Sequence, residues 1–202
     1  MKLYTGMGPN PRVVTIAIAE TGADVELVQV DLMAGENRQD AHLARNPAGQ
    51  LPTLETDDGL CISEITAIAE YVDEKAGGSL LGATAEERAE TRMWARRVDL
   101  NILEPLANGF RNAEGLPLFK DRIHVIPQAA DDFKQIAQEK LAWLDGLIEG
   151  REFICGDRFS LADILLFAFL EFGGQVGQPL DPKCERLQAW YERVAARPSV
   201  AG

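Results

Sequence analysis

The 202-residue chain is long enough to bury a sizeable core, as one compact body or as two small domains sharing an interface. A hydrophobic content of 46% and a charged content of 26% are those of a soluble globular protein. The formal net charge of −12 argues against nucleic-acid and anionic-membrane partners, both of which need basic surface.

"KLYT" at the N-terminus reads as a short strand, with neither the charged nor the apolar region of a signal peptide before it, so a cytoplasmic location is expected. Asn10 offers an N-cap and Pro11 a first helical residue for a helix to about Glu20, closed by Gly22. "VELVQV" (25–30) alternates apolar and polar residues and predicts a strand. "GENRQDAHLARNPAGQ" (35–50) is a short helix or turn region. "LPTLET", the Asp57-Asp58-Gly59 turn and "LCIS" predict a β-hairpin. Residues 64–75 return to helical period and stop at Gly77-Gly78. Residues 1–76 therefore read β-α-β-α-β-β-α, and "GGSLLGAT" (77–84) reads as a linker.

Residues 85–202 carry only helical patterns, over roughly 86–112, 126–149, 161–172 and 182–196. "SLADILLFAFLEF" is the most apolar stretch, too short to span a membrane and expected to be a buried helix. In "DRFSLADI", Ser160 is the expected N-cap, Asp163 sits three residues on, and Phe159 with Ile164 forms a hydrophobic staple. Cys61, Cys155 and Cys184 are widely spaced and accompanied only by His42 and His124, which predicts reduced thiols and no metal site.

Three segments in order, "ARNPAGQLPTL", "SEITAI" and "FICGDRFSLADI", resemble motifs of the soluble glutathione transferases, and the resemblance covers nearly the whole chain. It implies an α/β plus all-α architecture: a thioredoxin-like domain binding glutathione over 1–76, and a helical domain over 85–202 that shapes the acceptor pocket. It also implies a cis peptide at Leu51–Pro52, turning the Leu51 N–H and C=O toward the cysteinyl backbone of glutathione as an added strand. Glu64 and Ile65 open the third helix, where backbone N–H groups favour the γ-glutamyl carboxylate and the Glu64 side chain meets the ammonium. The family usually has Ser directly after this Glu. Ile65 stands there instead, with Ser63 and Thr66 as the neighbouring hydroxyls. Asn37 and Arg38 occupy the place where plant-type members hold the glycyl carboxylate, and Gln50 is an amide partner for the same end.

The family's reaction needs the glutathione thiolate. Lowering a thiol pKa of about 8.5 by about two pH units takes roughly 2.7 kcal/mol. Most members place a hydroxyl or Cys in the first loop. The common "Ser-Pro-Asn" reads Gly8-Pro9-Asn10 here. The expected donors are therefore the backbone N–H groups of Gly8 and Asn10 at a helix N-terminus, worth about 0.3–2 kcal/mol as a dipole. A water held by helical-domain residues completes the expected set, with Asn108, Arg111 and Asn112 as candidates, as in an atypical fungal and bacterial group with glycine in this loop. Tyr4 reads as a core aromatic and Thr5 as the other nearby hydroxyl. Arg12, a cation in the first turn, opposes the dipole and implies exposure or an anionic partner. Trp94, Arg97, Phe110 and Arg111 are the expected acceptor wall.

The resemblance implies conjugation of glutathione to small, largely apolar electrophiles by a two-fold homodimer. Peroxide reduction or isomerisation at the same thiolate is an alternative, as is a non-catalytic binding module.

Overall fold

A computed structural model describes residues 1–201. Four strands, β1 (Lys2–Thr5), β2 (Glu26–Gln29), β3 (Thr53–Glu55) and β4 (Cys61–Ile62), form one sheet in the order β2-β1-β3-β4. β1 and β2 are parallel, and the other pairs antiparallel. Helix α1 (Pro9–Thr21) supplies the crossover between the parallel pair, ending at Gly22 in the left-handed region. After β2 come a 3-10 turn (Glu36–Arg38) and a four-residue helix α2 (Asp40–Leu43). Helix α3 (Ile65–Lys75) follows β4.

The alternation of β1 decides which face meets which layer. Leu3 joins Val14, Leu54, Ile68 and Val72 in a core between the sheet and helices α1 and α3. Tyr4 points to the opposite face, where its hydroxyl donates to Glu55 at 2.9 Å. Burial and that carboxylate push the Tyr4 phenol up from its usual value.

The segment 77–84 is tightly held. The buried Asp73 carboxylate of α3 accepts from the N–H groups of Ser79, Leu80 and Leu81, so the chain leaves α3 in a set direction. Beyond it lie α4 (Ala85–Val98), α5 (Glu104–Asn112), α6 (Leu116–Phe119), α7 (Ala130–Leu147), α8 (Leu161–Gln175), α9 (Glu185–Ala195) and α10 (Pro198–Ala201). The helix expected over 86–112 is continuous but contains a π-helical turn, Asp99–Leu103. Pro105 lies two residues beyond it, as the second residue of α5. A proline has no N–H to donate and its ring crowds the carbonyl four residues back, which a locally widened turn relieves.

α8 is buried all round from Leu161 to Leu170, as a central helix must be. The core around it includes Val13, Ile16, Ala17 and Ala69 from the sheet half, so the two halves share one interior. α1 is also tied to the far end of the chain. Arg12 donates to Glu171 of α8 and to the Val200 carbonyl, and Glu20 pairs with Arg197 and accepts from Ser199. The anionic partner that Arg12 implied is Glu171. None of the described helices is long and apolar enough to cross a membrane.

Candidate active site

The sheet register gathers the candidate residues at one end. Tyr4 lies opposite Thr53, and Leu54 opposite Ile62. The end of β1, the start of β3 and the end of β4 therefore converge, bringing together Thr5–Gly8, Leu51-Pro52 and Ser63–Ile65. The N-termini of α1 and α3 open at this same end.

At α1 the cap residue is Gly8, with φ 111° and ψ 171°, and Pro9 is the first helical residue. This corrects the expected start at Asn10 and Pro11. Gly8 reaches a backbone conformation that favours glycine, and the fixed φ of Pro9 is already helical. Pro9 and Pro11 have no N–H, and the Arg12 N–H is taken by the Gly8 carbonyl at 3.3 Å. Asn10 is thus left with the single unclaimed N–H of the first turn, beside that of Gly8. Both expected donors stay available among the described residues.

At α3, Glu64 is the cap residue with φ 70° and ψ 121°, the one non-glycine residue with positive φ among those described. Such a backbone costs on the order of 1–3 kcal/mol and persists where the surroundings impose it. The side chain is exposed and caps nothing, and the first turn holds no acidic residue. Among the described residues, nothing accepts from the N–H groups of Ile65 and Thr66. The Ile65 side chain packs into both cores, so only its backbone faces the site. Ser63 is half-buried, with no hydrogen-bond partner for its hydroxyl among the described residues.

Leu51-Pro52 is a cis peptide. Neither the N–H nor the C=O of Leu51 has a partner among the described residues, while its side chain packs under Gly6. Arg38 is exposed and in no ion pair among the described residues, and its guanidinium lies beside Gly49. The Gln50 side chain is exposed on the same loop. Asn37 departs from its expected place as a ligand contact. It is buried, its amide donates to the Gly49 carbonyl at 2.6 Å, and it braces the loop rather than facing outward.

The water-holding set is revised too. Asn112 is buried, donating to the Asn108 carbonyl and accepting from the Ile126 N–H, so both ends of its amide are committed to the helix and the following loop. Asn108 donates to Glu104 and accepts from Arg111, a polar chain along α5. The expected acceptor wall is also redistributed. Trp94 is core, with Arg97 stacked on its ring at 4.9 Å. Arg111 is engaged by Asn108 and Glu104. Phe110 sits edge-on to Phe172, 4.9 Å between ring centres, and Phe172 lines a cavity of about 290 Å³ beginning at Gly8. Thr5, Arg12, Thr15, Gln29 and Glu171 are among the other residues that line it.

Sequence reasoning missed Asp99, on the π turn. Burial pushes its carboxyl up, Arg96 opposes this, and Glu104 and Glu64 reinforce it. Asp99 therefore lies within electrostatic range of Glu64. No local pattern singles it out, because it lies within an unbroken helical period. In the sequence His42 stands out only as one of two histidines, too few for a metal site. It is buried beneath the Gln50 loop, with its Nε2 2.9 Å from the Gln50 carbonyl.

Comparison with known proteins accords with this geometry. Residues 1–74 match the family model "Glutathione S-transferase, N-terminal domain" and residues 116–198 the corresponding C-terminal domain. Glutathione S-transferase 2 of Saccharomyces cerevisiae is 35% identical over 97% of this chain and 85% of its own length. Glutathione S-transferase GstA of Escherichia coli O157:H7 is 32% identical over 99% of this chain and 95% of its own. A solved glutathione S-transferase domain-containing protein of Marinobacter aquaeolei VT8 superimposes with a TM-score of 0.92 at 38% identity, covering 99% of this chain and 100% of that one. With likeness of that extent in both sequence and structure, the chain belongs to the glutathione S-transferase family.

Proposed function

We propose that the protein conjugates glutathione to small electrophiles at the cleft between Gly8, Leu51 and Glu64. The observation that carries this is α3. Its N-terminus is uncapped, opened by a Glu with positive φ, and set beside an unpaired Leu51 backbone. The Ile65 and Thr66 N–H groups take the γ-glutamyl carboxylate. Glu64, with Asp99 behind it, takes the ammonium. Leu51 pairs with the cysteinyl backbone, and Arg38 with Gln50 faces the glycyl carboxylate.

That pose turns the sulfur toward Gly8. The Gly8 and Asn10 N–H groups and the dipole of α1 stabilise the thiolate, the S–H proton passing to solvent. The sulfur then bonds to the electrophilic carbon while the leaving group departs, or while an unsaturated acceptor takes up a proton. The cavity beyond Gly8 holds the acceptor. Its Thr15, Gln29 and Phe172 walls suit a small molecule with a polar end. Three free thiols support a cytoplasmic setting, and exposed Met93 and Leu100 along the α4 region support a homodimer.

Glutathione titrated into the protein by calorimetry should bind, and the bound tripeptide should show thiolate absorbance near neutral pH. Binding with an unlowered thiol pKa refutes the catalytic reading, and no binding refutes the assignment of the site.

A further inference from the structure

We propose that His42 is a positioning residue for glutathione, holding the Gln50–Leu51 peptide so that the Leu51 N–H faces the cysteinyl carbonyl. This rests on the function proposed above.

Two side chains converge on the Gln50 carbonyl from below. His42 Nε2 lies 2.9 Å away and Asn46 Nδ2 donates at 3.1 Å, with the Thr53 hydroxyl more distant at 3.5 Å. A carbonyl has two lone pairs, so His42 and Asn46 fill it. A carbonyl only accepts, so His42 must carry its proton on Nε2. Its Nδ1 is buried with no partner among the described residues.

The ring has little freedom. It stands edge-on to Tyr4, with 6.4 Å between centres, and Tyr4 is itself covered by the Arg45 guanidinium at 4.2 Å and bonded to Glu55. The consequence follows from peptide geometry. The Gln50–Leu51 bond is trans, so its C=O and N–H point in opposite directions. Drawing the carbonyl down toward α2 turns the Leu51 N–H up toward the cleft, where none of the described residues receives it. A side chain on the far side of the loop thereby sets the direction of a donor it never touches.

His42→Phe keeps the edge-on packing and removes the donor, whereas His42→Gln retains one. Calorimetry with three ligands reads the difference: glutathione, γ-glutamylcysteine ethylamide, which lacks the glycyl carboxylate, and γ-glutamylcysteamine, which lacks the cysteinyl carbonyl as well. His42→Phe should weaken the first two about five- to tenfold and leave the third within about twofold, the size of one neutral hydrogen bond. His42→Gln should restore the affinity, and kcat at saturating glutathione should be unchanged in both variants.

Equal weakening of all three ligands, or of glutathione alone, or no weakening at all, overturns the inference. A wild type that binds none of the three overturns the function as well. Should His42→Phe not fold, nitrogen-15 spectra of the wild type decide. The His42 ring must be the Nε2–H tautomer, and the Leu51 amide proton must move downfield with the ethylamide but not with the cysteamine. A ring protonated on Nδ1, or an amide indifferent to that change of ligand, overturns it.

Discussion

The N-termini of α8 and α3 meet the same physical demand in opposite ways. Every helix begins with N–H groups that lack an intrahelical partner. At α8 the fully buried Asp163 closes the end from within. Its Oδ2 accepts from the Ser160 N–H and hydroxyl, and its Oδ1 from the Ile154 N–H and the Trp190 indole. Ser160 is the expected N-cap, its box with Asp163 closed on both sides, and its hydroxyl in addition donates to Asp163. At α3 the end is left open, exposed, and entered through a backbone that glutamate resists. A helix start that satisfies itself is architecture. One left unsatisfied at an energetic cost is set up for something outside the chain.

Asp163→Ala should break the closed end. Four buried donors lose their acceptor together, and the protein should lose on the order of 3–5 kcal/mol, read from the urea midpoint. A loss under about 1 kcal/mol would show that the box is not structural. Gly8→Ser tests the other open end, that of α1. It supplies a first-loop hydroxyl, but at φ 111° it should cost about 1–3 kcal/mol and give no gain in turnover. A stable, faster variant would refute the reading of Gly8 as a backbone site.

Glu64→Gly should separate stability from binding. Relief of the positive φ should raise stability by up to about 1 kcal/mol, while loss of the carboxylate weakens glutathione about tenfold or more. Thermal melts and calorimetry on one sample read both signs.

The smallest effect lies at α4, whose capping box is exposed. Glu87 accepts from the Ala83 and Thr84 N–H groups, which hold its carboxyl below the ordinary 4.5, and Thr84 accepts from the Glu87 N–H. A lowered folded pKa means the cap is complete above 4.5 and is lost as the pH falls through the folded value. The Ala83 and Thr84 amide signals should titrate there, and those of Ile65 and Thr66 should not.

What the chain disclosed by pattern alone divides along the same line. Lys2–Thr5, the central helix α8 and the hairpin around Gly59 follow from local alternation, apolar run and turn chemistry. The converging segments at Gly8, Leu51 and Glu64 were legible through the family's motifs. Side-chain direction was not. Asn37 and Asn112 carry the amide groups a ligand needs, but partners at Gly49 and Ile126 claim them first. Trp94 faces the core because α4 turns that side inward, which period alone cannot distinguish from a pocket wall. The π turn answers to Pro105 in the context of a continuing helix, and local propensity does not register it.

The fastenings of α1 have a bearing on how the cleft is acquired. The helix that opens at Gly8 is held by Glu171 and by the carbonyl of Val200, and its other end by Arg197 and Ser199. These are contacts of high sequence separation, whose loop entropy must be met before they reward the chain. The start of α1 at Gly8 therefore depends on contacts distant in sequence. Val14 seats α1 in the core of the sheet half, while the turn that opens at Gly8 also rests on residues far along the chain.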